Sequence, residues 1–567
     1  MYSFAVMVAV TIAALALGAQ LARLGLKRGI APTSLLGTAW ITAGLLISVS
    51  PWLFIAFSNH FAYLSNGASL FMEAGCLIAL AAGLLLLPMS LVGIAFPTLM
   101  ETAGQDPSIE SEYALGKIAA INVGGSIAGA LVSAFWLPKW LGLWNSMIAL
   151  GVVVIATGII ARMRAKPAAT YRLSSSAIGA AALLCVGAAS FFNLPRVSLD
   201  PQAGEKLIHL TEGAHGIIAV VEKPHSRRLK LNNHYGLGGT ASTGDERMQA
   251  HIPLLLHPAP HRVAFLGLGT GITAGAALLH PVDEITIIEL VPEVISSARD
   301  YFREANQGVV ENRRTNILAD DARHALRSSE AHYDVIIGDL VVPWREGEGS
   351  LFTLEQFQAA RKALSPKGIF CQWLPLFQMS EVEVTIVSRT FLEVFPHAQV
   401  WRGDFSPTEP AIALIGSNAD IALDAAALRR NLAAMQKDPA NPQLQSSENF
   451  WMNYIGEISP AQLNDQETRL NVDDHPWVEI LGPLLHTGPN ERYAFTGRAL
   501  QKWEKFIQAQ STSKLAVLPK AEVAAVDAGD ALAEMTLCMW EQNTAGAQTA
   551  QAKLHALLPE SAFRELF

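Results

Sequence analysis

The chain has 567 residues, enough for two or three domains, and 51% of them are hydrophobic. Its net charge of -9 leaves no basic footprint for a nucleic acid. Its four cysteines, Cys76, Cys185, Cys371 and Cys538, form no CxxC pair, which argues against a zinc ribbon or a disulfide framework.

Residues 1–195 read as a transmembrane domain of about six helices. Apolar segments near 2–22, 34–57, 73–100, 114–137, 141–161 and 174–194 are each long enough to cross ~30 Å of hydrocarbon. The first is too long, and too poor in leading positive charge, for a cleaved signal peptide. The third carries Pro88 and Pro97 and is expected to be kinked or broken. Arg23, Lys27 and Arg28 follow the first segment, and Arg162, Arg164, Lys166 and Arg172 follow the fifth, marking those loops as cytoplasmic. Gly125 and Gly129 form a GxxxG pair that suits close helix packing, with a homo-oligomer through transmembrane helices as a further use of it. No file of buried charges marks an ion path.

Residues 196–260 read as a linker and a small β-arm with a turn near Pro224–Arg227. Residues 261–485 then alternate short apolar strands with helical stretches: VAFLGLGTG, ITIIEL, TNILADDA, YDVIIGDL and GIFCQWLPL are the strands. That alternation predicts an α/β, Rossmann-like domain with a parallel sheet covered on both faces. Residues 486–567 read as a helical tail without recognisable chemistry.

Ligands of such sheets bind beyond the carboxyl ends of the strands. The first strand ends there in Gly267, Leu268, Gly269, Thr270 and Gly271, the second in Glu289, the third in Asp320, Asp321 and Ala322, and the fourth in Asp339. The glycines let a ligand approach the backbone at a helix start. Glu289 lies 20 residues after Gly269, the spacing of an acid that takes ribose hydroxyls. Any one of these acids could merely cap the next helix; three on one rim point to a ligand. An acidic rim without a GK[ST] loop disfavours a phosphate-rich ligand and suits a cationic nucleoside, S-adenosylmethionine or its decarboxylated form. Asp321 is then placed at the adenine and Asp339 at the sulfonium. Residues 344–352, WREGEGSLF, read as a lid over the site that brings Trp344 and Ser350 to it; Gln372 and Trp373 end the fifth strand on the same rim, and His234 and Tyr235 end the arm. The histidines lack ligand spacing, and no metal is expected.

Residues 205–420 resemble the spermidine synthase (polyamine aminopropyltransferase) family through HIPLLLHPAPHRVAFLGLGTGITAGA, IIELVPEVI, DDAR, YDVIIGDL, GEGSLFTLEQF and GIFCQWL, in the family's order. The membrane half is similar to that of the bacterial membrane-fused branch, through GKIAAINVGGSIAGALVSAFWLP, and LNVDDHPWVEILGP is similar to its later DD-x-P segment. ALALGAQLARLGLKRG resembles the second helix of that branch, so the branch's first helix has no counterpart in this sequence. The resemblance implies that Asp339 is the base that takes a proton from an attacking amine. It also exposes two departures. The family's D-x-x-D-P has Val342 at its second acid, and its Tyr-His-Glu stretch has no counterpart in STGDERMQAHIPLLLH. The adenosyl end is retained and the diamine end is lost.

The expected function is cleavage of the S–Cγ bond with release of methylthioadenosine, by alkyl (aminopropyl-type) transfer, intramolecular cyclisation or lyase-type elimination, with weak or no need for putrescine. A conventional polyamine aminopropyltransferase, a methyltransferase and a nucleoside-regulated transporter or sensor are the alternatives. Expected partners are the lipid bilayer and the small sulfonium nucleoside, with no nucleic acid and no permanently bound cofactor. The expected location is a bacterial inner membrane with the catalytic domain in the cytosol, although a count of six helices would place that domain outside.

Overall fold

A computed structural model describes residues 2–61, 69–104, 111–164, 187, 194–233, 235–463, 467–485 and 494–558. The chain divides into two compact units, Met1–Asp200 with Leu210–Ile218, and Pro201–His209 with Ala219–Phe567.

Among the described residues of the first unit, five helices are long and apolar enough to cross a membrane: Ser3–Lys27, Pro32–Phe57, Phe71–Gly104, Leu115–Phe135 and Leu143–Arg164. The sixth expected span, 174–194, falls almost wholly outside the described residues. The third is interrupted. A π-helical turn at Ala82–Leu86 precedes the segment Leu87–Gly93, whose first turn holds Pro88. A proline ring cannot donate to the carbonyl one turn earlier, and the wider turn accommodates the break. Helices Pro32–Phe57 and Leu143–Arg164 run against each other at glycines. A Cβ on Gly44 would stand 2.5 Å from the carbonyl oxygen of Gly151, and one on Gly158 would stand 2.9 Å from that of Gly37. Gly125 and Gly129, read as a packing pair, meet no described atom within 4 Å of an added Cβ. Close packing in this unit uses other glycines.

A small sheet, β1 (Lys206–Gly213), β2 (Gly216–Lys223), β3 (Ser226–Leu231) and β4 (Tyr235–Gly239), is ordered β1-β2-β3-β4. The turn between β2 and β3 places His225 at φ 69. The helix Thr243–Leu256 leads from this arm into the main sheet.

The main sheet has eight strands: β5 (Arg262–Leu266), β6 (Glu284–Ile288), β7 (Thr315–Leu318), β8 (Tyr333–Gly338), β9 (Leu364–Pro375), β10 (His397–Arg402), β11 (Ala411–Ser417) and β12 (Tyr454–Ile458). Their order is β12-β10-β11-β9-β8-β5-β6-β7. The five expected strands are β5 to β9, and they pair in parallel. The wholly parallel sheet needs correcting. β11, β10 and β12 extend it antiparallel beyond β9, making it mixed. β5 and β8 are buried along almost their whole length, as strands covered on both faces must be. One face packs Phe357, Phe370, Phe391 and Phe395 together, with ring centroids of Phe391 and Phe395 4.9 Å apart. The other face carries Trp401, Phe450, Trp451 and Tyr454.

The C-terminal helices belong to this second unit. Ser511, which ends the helix Gly497–Gln510, accepts the Glu457 N–H of β12 at 2.8 Å. Arg402, the last residue of β10, donates to Glu504 at 2.9 Å and Asp530 at 2.7 Å, both from the tail.

A buried polar chain ties the helix Thr243–Leu256 to the domain. Asp438 accepts Arg247 at 2.5 Å and His251 Nε2 at 2.9 Å, and His251 Nδ1 meets His280 Nε2 at 2.8 Å. Burial holds both histidines below their ordinary value, so they are neutral; His251 then donates to Asp438 and accepts from His280. Asp438→Ala strands a guanidinium and an imidazole in the interior. We expect it to cost about 3–5 kcal/mol, read as a lower melting temperature of the detergent-solubilised protein. An unchanged melting curve would show that the chain is dispensable.

Candidate active site

The order of the main sheet reverses at β5. The chain steps outward from β5 to β6 and β7, then returns to β8 on the other side. The helices that follow β5 and β8 therefore leave a crevice between them at the strand ends. Leu266 of β5 pairs with Gly338 of β8, so the glycine turn and Asp339 emerge side by side. A Cβ on Gly267 would stand 3.8 Å from the Cβ of Asp339.

Gly267, Gly269 and Gly271 adopt φ 109, 53 and 78, and Gly271 caps the short helix Ile272–Ala276. The left-handed region is reached cheaply only by glycine. The turn also needs space: a Cβ on Gly269 would lie 2.8 Å from the carbonyl oxygen of Leu237 in β4. The arm therefore roofs the glycine turn.

Glu289 is buried. Its carboxylate accepts the N–H of Leu268 at 3.0 Å and of Val291 at 2.8 Å. Burial raises its pKa, against those bonds. It holds the glycine turn in shape, also taking a backbone bond from Gly269. Asp321 caps the helix Ala322–Ser328 through the N–H groups of Arg323 and His324. The bland role of such acids is thus filled by Asp321. Asp320 pairs with His324 at 2.9 Å, which lowers its pKa. Asp320 and Ala322 are partly exposed and Asp321 is exposed, all at the end of β7.

Asp339 accepts the N–H of Leu340 at 2.8 Å and the hydroxyl of Thr273. Burial above all, then the negative charges of Glu246 and Glu289, pushes its pKa up to about 7, against those two bonds. Gln372 is buried against Gly338, its partner in β8, so close that a Cβ on Gly338 would stand 2.5 Å from Gln372 Oε1. Trp373 does not reach the rim. It is wholly buried and donates its indole N–H to Gln249 at 3.0 Å. Successive side chains of a strand point to opposite faces, which separates Trp373 from Gln372.

Tyr235 opens β4 and meets the segment after β8. Its ring lies 5.9 Å from that of Trp344, and the Arg345 guanidinium sits 5.1 Å above it. His234 lies outside the described residues. Ser350 donates its hydroxyl to Gly347 within the same segment. The lid reading changes here, because the segment is pinned from behind. Asn471 donates to the Gly349 carbonyl at 3.0 Å, and Glu479 accepts N–H groups from Gly347, Gly349 and Ser350. Asp473 accepts Thr353 at 2.8 Å and Arg327 at 3.0 Å, and also pairs with Arg323. It therefore anchors the support and does not line the crevice.

Sequence reasoning missed Glu246, Glu348, Arg345 and Asp404. Glu246 accepts Gly239 N–H at 2.8 Å, Ser242 Oγ at 2.7 Å and Thr270 Oγ1 at 2.8 Å, fastening the arm to the glycine turn. Burial raises its pKa. In sequence it is an ordinary first-turn acid of a helix, and only the fold brings it to Asp339. Glu348 accepts the Val342 N–H at 2.9 Å and pairs with Arg345. Asp404 closes its own loop through the N–H groups of Ser406 and Ala411, and burial pushes its pKa up to about 7.

Residues 243–401 match the family described as "Spermine/spermidine synthase domain". The polyamine aminopropyltransferase of Streptococcus uberis is 30% identical over 221 residues, 38% of this chain and 76% of the relative. That of Erwinia tasmaniensis is 36% identical over 173 residues, 29% of this chain and 59% of the relative. The chain thus spans less than two thirds of the Erwinia protein. Among solved structures, spermidine synthase from Thermotoga maritima is 23% identical, with a TM-score of 0.36 over 41% of this chain and 79% of that one.

The Asp339 carboxyl is expected to titrate near 7 by carbon NMR of aspartate-labelled protein. Glu246→Gln removes one negative neighbour and should move that midpoint down. An unmoved midpoint would show that Glu246 does not act on Asp339.

Proposed function

Since this chain belongs to the spermine/spermidine synthase family, we propose that it cleaves the S–Cγ bond of S-adenosylmethionine or its decarboxylated form and releases methylthioadenosine. The observation that carries this reading is Asp339, a single acid beside the glycine turn with a pKa near neutrality. The adenosyl group lies along the glycine turn, with Glu289 at the ribose and Asp320, Asp321 and Ala322 at the base. The sulfonium lies over Asp339.

Chemistry at this centre needs one carboxylate. As the S–Cγ bond breaks, its electron pair stays with sulfur and yields a neutral thioether. An amine acceptor forms N–Cγ and gives one proton to Asp339. In the intramolecular route the donor's own carboxylate forms O–Cγ and closes a lactone, with no proton to transfer; Asp339 then only stabilises the cation. Val342 is buried and apolar where the family's second acid belongs. An ammonium desolvated there without a partner is costly, so a short diamine is a poor acceptor.

Mass-spectrometric product analysis tests this with each sulfonium donor, with and without amines. We expect methylthioadenosine, at most weak dependence on putrescine, and loss of product in Asp339→Asn. Release of S-adenosylhomocysteine would overturn the reading, and rapid putrescine-dependent spermidine formation would overturn its acceptor part. A base must be ionised to accept a proton. If an amine is the acceptor, kcat/KM should therefore rise with pH and level off above about 7. A profile flat from pH 5 to 9 would remove Asp339 as the base.

The five apolar helices support a multipass membrane protein. With the basic loops after the first and fifth inside, the five described spans bring the chain to the cytosolic side at Arg164, and a cytosolic catalytic domain is the placement we propose. Ala552 is exposed on the C-terminal helix Thr544–Leu557. In Ala552→Cys, a membrane-impermeant thiol reagent should label lysed cells and spare intact ones. Labelling of intact cells above the parent chain's background would place the domain outside.

A further inference from the structure

The segment after β8 carries a cation where the family pattern supplies an acid. Arg345 follows Val342 by three residues and pairs with Glu348, and Glu348 Oε2 accepts the Val342 N–H at 2.9 Å. Each side chain keeps about a fifth of its surface exposed, 20% for Arg345 and 21% for Glu348. The guanidinium lies on the Tyr235 ring of the roofing strand, 5.1 Å from its centroid. Its Nη1 edge serves Glu348. Among the described residues, Nε and Nη2 make no hydrogen bond, which leaves a planar donor edge available. Glu348 is also close enough to Glu289 for its charge to be felt there.

An arginine and a glutamate held side by side match a zwitterion. The guanidinium edge suits a carboxylate, and the glutamate suits an ammonium. The same arrangement repels a lone distal ammonium, because Arg345 offsets the charge of Glu348.

We propose that Arg345 and Glu348 form a receptor for an α-amino carboxylate, and that the group they hold is the methionine end of intact S-adenosylmethionine. The inference rests on the nucleoside reading above and adds to it the choice of donor. The receptor lies just beyond Asp339 in sequence, and the charge of Glu348 is felt at Glu289. A nucleoside anchored at Glu289 with its sulfonium over Asp339 would extend its remaining arm toward it. Decarboxylated S-adenosylmethionine lacks the carboxylate and would leave the Arg345 edge unpaired.

Isothermal calorimetry on the full-length protein in detergent separates this inference from the reading it rests on. The titrants are methylthioadenosine, S-adenosylmethionine and decarboxylated S-adenosylmethionine. Wild type should bind S-adenosylmethionine at least tenfold more tightly than the decarboxylated form. Arg345→Met should remove that preference while leaving methylthioadenosine affinity unchanged, which also shows that the variant is folded. Arg345→Lys should recover only part of the preference, because a point charge lacks the fork. Equal affinity for the two sulfonium ligands in wild type would overturn the donor assignment and leave the nucleoside site standing if methylthioadenosine binds. Should Arg345→Met instead impair only turnover of decarboxylated S-adenosylmethionine with a free α-amino acid, the receptor stands and the group belongs to the acceptor. No binding of any of the three would overturn both the receptor and the nucleoside reading.

Discussion

The parallel pairing of β5 with β8 is the constraint on which the site depends. It makes β5 the point of reversal in the sheet and opens the crevice at its carboxyl end. It also fixes the spacing between the glycine turn and Asp339, where the Gly267 position has no side chain to fill the gap. The roof then follows. Leu237 of β4 rests on Gly269, Glu246 fastens Gly239 to Thr270, and Tyr235 reaches the segment after β8. A larger residue at 269 would lift the roof as well as distort the turn. One local requirement for glycine is thus felt in three elements.

Electrostatics decide what this crevice prefers to hold. Glu246, Glu289, Asp339 and Glu348 are all raised above their ordinary pKa values, chiefly by burial. Such a set is relieved by a ligand of net positive charge. A sulfonium beside Asp339 favours the ionised carboxylate, so it would lower the same pKa that the empty crevice has raised. The donor would thereby prepare its own base. Asp339 near neutrality in the free protein would give way to an ionised Asp339 under a bound cation.

Much of this could be read in the sequence, and what could not has a physical reason. β5 to β9 announced themselves as short apolar runs ending in glycine or acid, because burial on both faces leaves little choice of residue. β10, β11 and β12 are equally short runs, HAQVWR, AIALIGS and YIGEI, but no motif marks their ends and no turn signal joins them to the parallel strands. Glu289 was legible through its spacing from Gly269. Glu246 was not, because its contacts with Thr270 and Gly239 are made only after the arm folds over the glycine turn. Trp373 shows the limit of reading a rim from a strand's last residues. One position of phase separates Gln372, buried against Gly338, from an indole deep in the opposite face. The WREGEGSLF segment looked like a lid because glycines suggest mobility, yet Asn471 and Glu479, over a hundred residues away in sequence, hold its backbone.

The question raised by a single acid at the end of β8 comes down to its neighbours. Two carboxylates three residues apart would suit an aliphatic diamine, one for each end. Here Val342 withdraws the second acid, Glu348 returns a carboxylate to the Val342 backbone, and Arg345 cancels most of the charge so returned. The net change from the family's pattern is a cationic edge in place of an anionic one, set on the aromatic face of Tyr235. Deleting an acid alone would have left an apolar hole that admits many ligands weakly. Replacing it with an oriented ion pair selects for a group that carries both signs at fixed spacing, because either charge alone meets repulsion from one half of the pair. The departure from the family at Val342 is thus coupled through Glu348 to the guanidinium that follows it, and the two have to be understood together.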